Sequence, residues 1–333
     1  MKKLSIALIG AGKMGKRWAL IVGKNKNAAL DWIISRTAQS TQSLAALVPH
    51  AQATTDWEMV LNDPKVHAVI IATPHRYLAP FSHQALMAGK HVLCEKPGAL
   101  HSADIKKNAL LAEKKGLTYM IAYNHRFHDA FIKARKFINT NAIGDIIFIR
   151  ARYGFGGRMN YHKEWRLDQT ISGGGHLIDQ GVHMIDLVLS FIGKARVTGF
   201  TSDTFWKKGT EDNAFVLLQG RNKETASIHV SLTQWKPLHN FEIYGTKGYL
   251  SIEGLGMKYG MGEKLVIGKR SKNFSSEVKE ELVICNSHAD DSLALVLSEF
   301  IAAQRRKRTA NPSPSDAYEV LKVVEKIYKE NRL

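Results

Sequence analysis

Short apolar runs alternate with helical patterns over the first 123 residues of the chain. Runs such as Leu4–Ile9 have strand length, whereas the segments between them repeat apolar positions at helical spacing. This alternation is typical of βαβ units that build a parallel sheet. We predict strands at Leu4–Ile9, Leu30–Ser35, Ala68–Ala72, His91–Cys94 and Thr118–Ala122, and helices near 13–24, 38–47, 55–61, 78–88 and 102–115.

The pattern changes after residue 124 to longer stretches in which apolar and polar residues alternate. Such alternation predicts strands with one buried face, so we expect a second, α+β domain with a largely antiparallel sheet. Gly245-Thr246-Lys247-Gly248 has the composition of a hairpin turn. The predicted strands are Ile146–Tyr153, Val197–Phe205, Ala214–Leu218, Thr225–Leu232, His239–Tyr244 and Gly248–Ile252, and the helices lie near 129–139, 176–192, 290–305 and 315–330.

The length and composition agree with two folded domains, over residues 1–123 and 124–333. A chain of 333 residues is about twice the usual domain size, and 44% of its residues are hydrophobic and 23% charged. No apolar run approaches the roughly 20 residues that cross a bilayer, and glycines interrupt the apolar start that a signal peptide would need. Cys94 and Cys285 fit neither a disulfide framework nor a metal site. We therefore expect a cytoplasmic protein that binds no membrane and no metal.

The chain carries a formal net charge of +17, which favours anionic partners. The excess is distributed over both halves of the sequence, and the dense cluster Arg305-Arg306-Lys307-Arg308 ends a predicted helix. Cations at that position face the negative end of the helix dipole. No zinc finger, RNA-recognition motif or basic zipper accompanies the cluster, so we predict a small-molecule partner and not a nucleic acid.

The motif Gly10-Ala11-Gly12-Lys13-Met14-Gly15 directly follows a predicted strand and opens a predicted helix. In that context the first glycine permits the turn, the second lets the backbone approach a pyrophosphate, and the third lets the helix pack on the strand. Amides at the start of the helix face the anion. The motif predicts a Rossmann domain that binds a dinucleotide.

The end of the second predicted strand, Ser35-Arg36-Thr37, carries no acidic residue. NAD-selective folds usually have an acid there that binds the ribose hydroxyls. An arginine between two hydroxyl side chains can instead bind the 2′-phosphate of NADP. We therefore favour NADP over NAD as the cofactor, while Arg36 also has the ordinary interpretation of a solvated cation.

Two further motifs carry chemical groups. Lys96 of Cys94-Glu95-Lys96-Pro97 follows a strand at the edge where open α/β sheets bind ligands, and it can donate to a substrate oxygen or be a surface lysine. Ser172-Gly173-Gly174-Gly175 opens a helix on which Asp179 and His183 lie four residues apart, on one face. A carboxylate and an imidazole so placed can move a proton or form a salt pair. Because His176 and Asp186 lie on the same side of the helix, spacing alone does not decide which residues of this row act as the acid and the base.

Several motifs in order resemble one known family, named for glucose-fructose oxidoreductase, inositol dehydrogenase and rhizopine catabolism (Gfo/Idh/MocA). They are GAGKMG at 10–15, ATP at 72–74, AGKHVLCEKP at 88–97, HRF at 125–127, WR at 165–166, GGGHLIDQGVHMIDL at 173–187 and PSPSDA at 312–317. The resemblance implies an α/β protein in which a Rossmann domain precedes an α+β domain with a large open, mostly antiparallel sheet. It also implies a homodimer or homotetramer and NAD(P)-dependent oxidation or reduction of sugars, cyclitols and related compounds.

The resemblance also implies roles for individual residues. Lys96 would contact the reacting oxygen and the cofactor, Asp179 would hold the substrate, and His183 would transfer the proton. Thr73 and Pro74 would line the cofactor. The cofactor-binding set, some of which lies close to substrate in relatives, is Gly10, Gly12, Lys13, Met14, Gly15, Ser35, Arg36, Thr37, Thr73, Pro74, His75, Glu95, Lys96, Asn124, Trp165 and Arg166.

The chain departs from the family in two places. The family often has Thr-Pro-Asn-x-x-His after the fourth strand, where this chain has Thr73-Pro74-His75-Arg76-Tyr77-Leu78. The segment 158–163 has no family pattern, which leaves Tyr161, His162 and Lys163 as candidates for substrate selection. Two alternatives to a sugar dehydrogenase remain: an NAD-dependent glycoside hydrolase, and a non-catalytic nucleotide-sensing regulator.

Overall fold

The computed structural model describes residues 2–256, 259, 262–271, 273, 279–283, 285 and 290–331. The chain divides into two compact units. The first contains Met1–Tyr123 and Leu293–Tyr318, and the second contains Asn124–Ser292 and Glu319–Leu333. The division after Tyr123 lies where the hydrophobic pattern changes. The segment Leu293–Tyr318, which the sequence analysis placed in the second domain, groups with the first unit.

The first unit contains a six-stranded parallel sheet with strand order β3-β2-β1-β4-β5-β6. Its strands are β1 (Leu4–Ile9), β2 (Ala28–Ile34), β3 (Gln52–Thr54), β4 (Ala68–Ile71), β5 (His91–Cys94) and β6 (Tyr119–Ile121). The helices that alternate with them are α1 (Lys13–Lys24), α2 (Ala38–Ala45), α3 (Trp57–Asn62), α4 (His75–Met87) and α5 (Ser102–Lys114).

Local chemistry explains where several of these helices begin and end. Thr37 caps α2 by accepting a hydrogen bond from the amide of Ser40, and Asp56 caps α3 by accepting one from Met59. Gly89 and Gly116 follow α4 and α5 with φ values of +76° and +64°, a conformation that favours glycine after a helix. Strands β1 and β4 in the middle of the sheet are buried throughout, as expected for a parallel sheet between helices, whereas the edge strand β3 is partly or fully exposed.

The second unit contains an eight-stranded sheet with strand order β14-β13-β12-β11-β7-β10-β9-β8. Neighbouring strands are antiparallel except β7 and β10, which are parallel. Tyr244 pairs with Tyr249 across the predicted hairpin turn. The strands are β7 (Ile146–Gly154), β8 (Ala195–Asp203), β9 (Asn213–Gly220), β10 (Thr225–Ser231), β11 (Leu238–Gly245), β12 (Gly248–Glu253), β13 (Lys264–Lys269) and β14 (Lys279–Val283).

One face of this second sheet packs on helices. Helix α6 (Asp129–Asn139) lies against β12 and β13, and α8 (Val182–Ile192) lies against β7 and β10. Residues pointing to these helices are buried, whereas Phe215 and Leu217 on the opposite face of β9 are each 45% exposed. We call that opposite face the open sheet face; it also bears Phe148, Tyr244, Tyr249, Arg150, Glu242 and His229.

The remaining elements are short turns and two C-terminal helices. They are the 3₁₀ turns Asn124–Phe127, Tyr161–Lys163 and Trp165–Leu167, α7 (Gln169–Ser172), a π-helical turn at Leu177–Gly181, α9 (Ser292–Arg306) and α10 (Pro314–Asn331). Among the described residues, no helix is both long and apolar enough to cross a bilayer.

Three strands, β3, β13 and β14, were not predicted, and two helix starts near the predicted site residues differ from the predictions. Strand β3 is short with only one apolar residue, and β13 and β14 lie at the edge of the second sheet. Helix α4 begins at His75, three positions earlier than predicted, because Pro74 is its N-cap residue. The helix predicted near 176–192 begins with the π-helical turn, which contains Asp179. The four-residue spacing of Asp179 and His183 therefore spans two helix types.

Candidate functional site

The glycines after β1 serve packing at two positions and leave space at the third. Gly10 has a φ of +108°, and a Cβ there would lie 2.3 Å from the carbonyl oxygen of Ala72. A Cβ at Gly15 would lie 1.8 Å from the carbonyl oxygen of Gly10. Gly12 meets nothing within 4 Å of its Cβ position. The close approach predicted for the helix is therefore present, and the surface in front of Gly12 is open.

The start of α1 fits the diphosphate of a dinucleotide. Gly12 is the N-cap residue and has no side chain to bind the first amides of the helix, and the first turn of α1 contains no acidic residue. Lys13 is exposed and Met14 is half-buried. Amides and the helix dipole attract an anion at such a place, so these residues suit the cofactor that the motif implies.

The end of β2 presents Arg36 to solvent. Its neighbours are held locally, since the Ser35 hydroxyl lies 2.7 Å from the Ser40 hydroxyl and Thr37 caps α2. Arg36 itself is exposed. The backbone on both sides of Arg36 is therefore fixed while its guanidinium is accessible, which suits the binding of a phosphate.

Thr73 and Pro74 lie between β4 and α4. His75 is the first residue of α4 and is buried. Lys96 is half-buried directly after β5. Its neighbour Glu95 is buried, and Glu95 Oε1 accepts a hydrogen bond of 2.7 Å from Trp18 Nε1. Burial raises the pKa of the Glu95 carboxyl. Glu95 thus fixes α1 to the sheet edge.

In the second unit, Asp179 lies in an ion-pair network. Arg166 Nε lies 3.3 Å from Asp179 Oδ2, and Gln180 Nε2 donates to the same oxygen at 3.2 Å. Arg166 also lies 3.4 Å from Glu164, and its guanidinium stacks over the Trp165 ring at 4.6 Å. The structure therefore brings together Trp165, Arg166 and Asp179. Glu164 and Gln180 were not predicted as site residues: Glu164 precedes the WR motif, and Gln180 lies within the motif at 173–187 but had no role assigned.

His183 is buried on α8, and its ring stacks on that of His125 with centroids 3.8 Å apart and planes 11° apart. His125 belongs to the HRF motif at 125–127, for which no individual role was predicted. This contact fixes the plane of the His183 ring.

Two other residues lie in the same helical row. Arg126 donates to both carboxylate oxygens of Asp186, at 2.8 Å and 2.6 Å. His176 is buried, and its backbone amide donates to the carbonyl oxygen of Glu211 at 2.8 Å. The Asp186 carboxylate, like that of Asp179, is thus held in an ion pair with an arginine.

The remaining predicted residues of the second unit differ in accessibility. Asn124 donates to the Ser292 hydroxyl at 2.9 Å. Tyr161 is buried, and burial, followed by the nearby charge of Asp179, raises the pKa of its hydroxyl. His162 and Lys163 are exposed. Tyr161 therefore belongs to the surroundings of Asp179.

A buried carboxylate that the sequence did not indicate holds the start of the glycine-rich helix. Glu211 Oε1 accepts hydrogen bonds from the amides of Gly175 and Leu177, at 3.0 Å and 3.1 Å, and from the Tyr328 hydroxyl at 2.6 Å. A Cβ at Gly175 would lie 1.8 Å from the Glu211 carbonyl oxygen, and one at Gly174 would lie 2.3 Å from the Tyr328 hydroxyl. The glycine run is thus required for this packing.

Two family models match the chain. One, described as the oxidoreductase family with an NAD-binding Rossmann fold, matches residues 4–123. The other, the GFO/IDH/MocA C-terminal domain, matches residues 131–251. The chain belongs to the Gfo/Idh/MocA family. Its predicted fold class is confirmed, and it is a member of a family of NAD-binding oxidoreductases.

Relatives of this Gfo/Idh/MocA member include sugar dehydrogenases and reductases. Levoglucosan dehydrogenase of Pseudarthrobacter phenanthrenivorans is 32% identical over 209 residues, which are 58% of this chain and 52% of that enzyme. 1,5-Anhydro-D-fructose reductase of Ensifer adhaerens is 27% identical over 249 residues, which are 73% of this chain and 74% of that enzyme. The chain thus spans about half of the first relative and three quarters of the second.

A solved structure of levoglucosan dehydrogenase with NADH and levoglucosan shares the fold of this chain. Its TM-score is 0.89 at 23% identity, and the match covers 98% of this chain and 97% of that one. At this identity the match shows the architecture and not the ligand.

Proposed function

We propose that this protein is an NAD(P)-dependent oxidoreductase that transfers a hydride between a nicotinamide cofactor and a sugar, a cyclitol or a related hydroxyl or keto compound. One observation carries the proposal. The buried carboxylate of Asp179, on the π-helical turn, is held by Arg166, and the imidazole of His183, on the following helix α8, is stacked on His125. In a family of NAD-binding oxidoreductases, a fixed carboxylate and a fixed imidazole suit the binding and deprotonation of a hydroxyl group.

Each residue of the proposed site has a distinct role. The nicotinamide accepts or supplies the hydride when it is bound. Movement of a hydride at an alcohol carbon requires movement of a proton at the attached oxygen, and we assign that proton to His183 because imidazole ordinarily titrates near neutral pH. Asp179 accepts a hydrogen bond from a substrate hydroxyl. Lys96 donates a hydrogen bond to the reacting oxygen, since an ammonium group gives up its proton less readily.

The test combines a substrate screen with one histidine substitution. Sugars, nucleotide sugars, inositols and their keto forms are screened by the absorbance of the reduced nicotinamide. On a substrate so found, we expect His183→Ala to lower turnover about a hundredfold, the usual contribution of general acid-base catalysis, and to leave cofactor affinity unchanged. The matched control is His67→Ala, which removes an exposed histidine of the first unit.

Near-parental turnover of His183→Ala across the pH range would assign the proton to another group, with Lys96, Tyr161 and His162 the next to test. A glycoside hydrolase that uses NAD transiently would release a free sugar without net reduction of the cofactor, so product analysis separates it from a dehydrogenase. A regulator would bind nucleic acid in a salt-dependent manner. One observation argues against a nucleic-acid-binding regulator. Arg308 of the basic cluster donates to both carboxylate oxygens of Glu299, so one of the four cations is already paired within the protein.

We further propose that NADP is preferred over NAD, on the basis of the exposed Arg36 between two anchored hydroxyl residues. Arg36→Glu replaces a phosphate partner with a repelling charge. It should therefore raise the Kd of NADPH at least tenfold and leave the Kd of NADH nearly unchanged, as measured by fluorescence titration. Lys24→Glu, an equal charge change at the exposed end of α1, serves as the control. If the parent protein binds NADPH and NADH with equal affinity, and Arg36→Glu leaves the two affinities equal, the proposed preference is wrong.

The open sheet face supports a third proposal, that the protein is a homodimer or homotetramer. Phe148 stacks on Tyr244 at 4.6 Å, and Tyr244 on Tyr249 at 5.1 Å, across neighbouring strands of that face. Together with Phe215 and Leu217 they form an apolar band, and Arg150 and Glu242 form an ion pair of 2.9 Å within it. An exposed apolar surface of this kind suits contact with a second copy of the chain.

A further inference from the structure

Three aromatic side chains form a group at the surface of the second unit, which we call the aromatic shelf: the exposed Phe205 and Trp235 and the half-buried Trp206. Phe205 is 63% exposed and Trp235 is 65% exposed. The Phe205 ring contacts both tryptophans edge to face, with centroids 5.5 Å from Trp206 and 5.4 Å from Trp235. Contiguous exposed aromatic surface is uncommon on a protein and marks binding sites.

The shelf is held in place by buried groups. The carboxylate of Asp212, which is fully buried, accepts hydrogen bonds at 2.8 Å and 2.6 Å from the backbone amides of Phe205 and Trp206. Trp206 Nε1 donates to the carbonyl oxygen of Leu232 at 3.0 Å. Because the only polar atom of the Trp206 ring is bound internally, the accessible part of that ring offers apolar surface.

Two glycines allow the chain to pass directly beneath the tryptophans. A Cβ at Gly157 would lie 2.6 Å from Trp206 Cζ2, and one at Gly156 would lie 3.1 Å from Trp235 Cε3. Backbone therefore lies against both rings; Trp206 also packs against Tyr161, Leu167 and Leu232, whereas Trp235 remains 65% exposed. A ligand that stacks on rings already fixed in this way loses less free energy to ordering them.

Contacts lead without interruption from the shelf to Asp179. The Tyr161 ring lies 6.1 Å from that of Trp206, and the Arg158 guanidinium lies over Tyr161 at 4.9 Å. Arg158 Nε in turn donates to Glu164 at 2.6 Å. Glu164 lies 3.4 Å from Arg166, which pairs with Asp179. The shelf and the proposed substrate carboxylate thus belong to one contact network within the second unit.

We propose that the aromatic shelf binds a ring attached to the reacting sugar, so that the preferred substrate is a glycoside and not a free monosaccharide. This inference rests on the proposed function for the position of the reacting sugar. The attached group is a second ring with an apolar face, such as an aromatic aglycone, because flat aromatic side chains bind such faces by apolar burial and offset or edge contacts.

The test compares two ligands that share a sugar and differ in the attached group: methyl β-D-glucoside and 4-nitrophenyl β-D-glucoside. Their dissociation constants are measured by calorimetry on the full chain with NADPH or NADH present. In the parent protein we expect the aryl glucoside to bind more tightly. Trp235→Ala should reduce that preference about tenfold, from the apolar area lost, while the affinity for the methyl glucoside stays the same.

Two variants control the measurement. Trp235→Phe keeps an aromatic face and should retain most of the preference for the aryl glucoside. Leu110→Ala removes an exposed apolar side chain of α5 in the first unit, where Leu110 is 57% exposed, and should change neither affinity.

The proposal is wrong if Trp235→Ala keeps the parental preference for the aryl glucoside over the methyl glucoside. It is also wrong if neither glucoside binds. A change in particle mass for Trp235→Ala by light scattering also overturns it, because the shelf would then be a contact between copies of the chain. Failure of the proposed function gives a different result: no glycoside is turned over, while the calorimetric preference still depends on Trp235.

Discussion

Individual glycines in this protein have separable roles. Gly10 and Gly15 allow backbone segments to touch, whereas Gly12 faces open space at the start of α1. The motif predicts these separate roles from the order of the three glycines. The distances from each Cβ position agree with the packing role of Gly15 and the open approach at Gly12, and they give each residue a measurable consequence.

Alanine substitutions should distinguish packing from cofactor binding. In Gly15→Ala the new Cβ would lie 1.8 Å from a backbone oxygen, so we expect a loss of more than ~2 kcal/mol in the free energy of unfolding without cofactor. Gly12→Ala should leave that free energy nearly unchanged, because its φ of −77° suits alanine. It should weaken dinucleotide binding at least tenfold, since the methyl group occupies the approach of the diphosphate. Urea unfolding and fluorescence titration measure the two effects, and parental cofactor affinity in Gly12→Ala would argue against this position for the diphosphate.

At the scale of elements, the π-helical turn Leu177–Gly181 depends on a residue from a distant segment. Glu211 accepts hydrogen bonds from the amide of Gly175, which precedes this turn, from the amide of Leu177, its first residue, and from Tyr328 of α10. Burial raises the pKa of Glu211. Ionised Glu211 is therefore less favoured in the folded protein than in the unfolded chain, despite its three donors.

This shift has a definite sign in the pH dependence of stability. Because the folded pKa of Glu211 is raised, its contribution is largest below the unfolded value of 4.5 and falls as the pH rises through the folded pKa. Glutamine does not titrate, so Glu211→Gln does not lose this contribution. Its free energy of unfolding, relative to that of the parent, should therefore increase as the pH rises above 4.5, the pKa of Glu211 in the unfolded chain. Urea midpoints of both proteins at several pH values measure the difference.

Glu299→Gln provides a control of opposite sign. Burial acts to raise the pKa of Glu299, but hydrogen bonds from Arg308 and the Asn311 amide outweigh it, and the pKa is lowered. A lowered carboxyl pKa stabilises the folded state above the unfolded value and loses that effect as the pH falls. Glu299→Gln should therefore become less stable relative to the parent as the pH rises. Parallel pH curves for the two variants would contradict both assignments.

The elements predicted correctly are those whose sequence pattern matches their own burial. Strands β1 and β4 of the parallel sheet are buried throughout and almost entirely apolar, and strands of the second sheet such as β9 alternate. Strand β3 is the three-residue edge segment Gln52–Thr54 with only one apolar residue, and β14 is largely exposed, so neither has an apolar pattern to detect. The π-helical turn depends on Glu211, which is remote in sequence and belongs to no motif.

For the candidate site, the sequence indicated the residues but not the contacts between them. Motifs and family resemblance indicated Lys96, Asp179 and His183 as residues, and Trp165 and Arg166 as neighbours of a ligand. The pairing of Arg166 with Asp179 and the stacking of His125 on His183 are long-range contacts, which local spacing does not encode. The roles of all these residues stay predictions until the substitutions are measured.

At the scale of the whole molecule, the open sheet face should control assembly. We expect the parent to be at least a dimer at micromolar concentration by light scattering. Substitution of both Phe215 and Leu217 by lysine places two charges on the apolar band and should lower the particle mass to that of one chain. Leu110→Lys, an exposed apolar position of the first unit, should leave the mass unchanged. A parent that is itself monomeric would refute the proposed assembly.

The grouping of Leu293–Tyr318 with the first unit bears on biosynthesis. A ribosome releases residues 4–123 first, yet α9 leaves it only after residues 124–291 have been made. Within the first unit, Arg305 of α9 donates to the side chain of Asn27 at 3.2 Å. The nascent Rossmann sheet therefore emerges before this helix, and the contact between Arg305 and Asn27 forms late in synthesis. A fragment that ends at Tyr123 lacks α9, so it is expected to be less stable than the complete first unit.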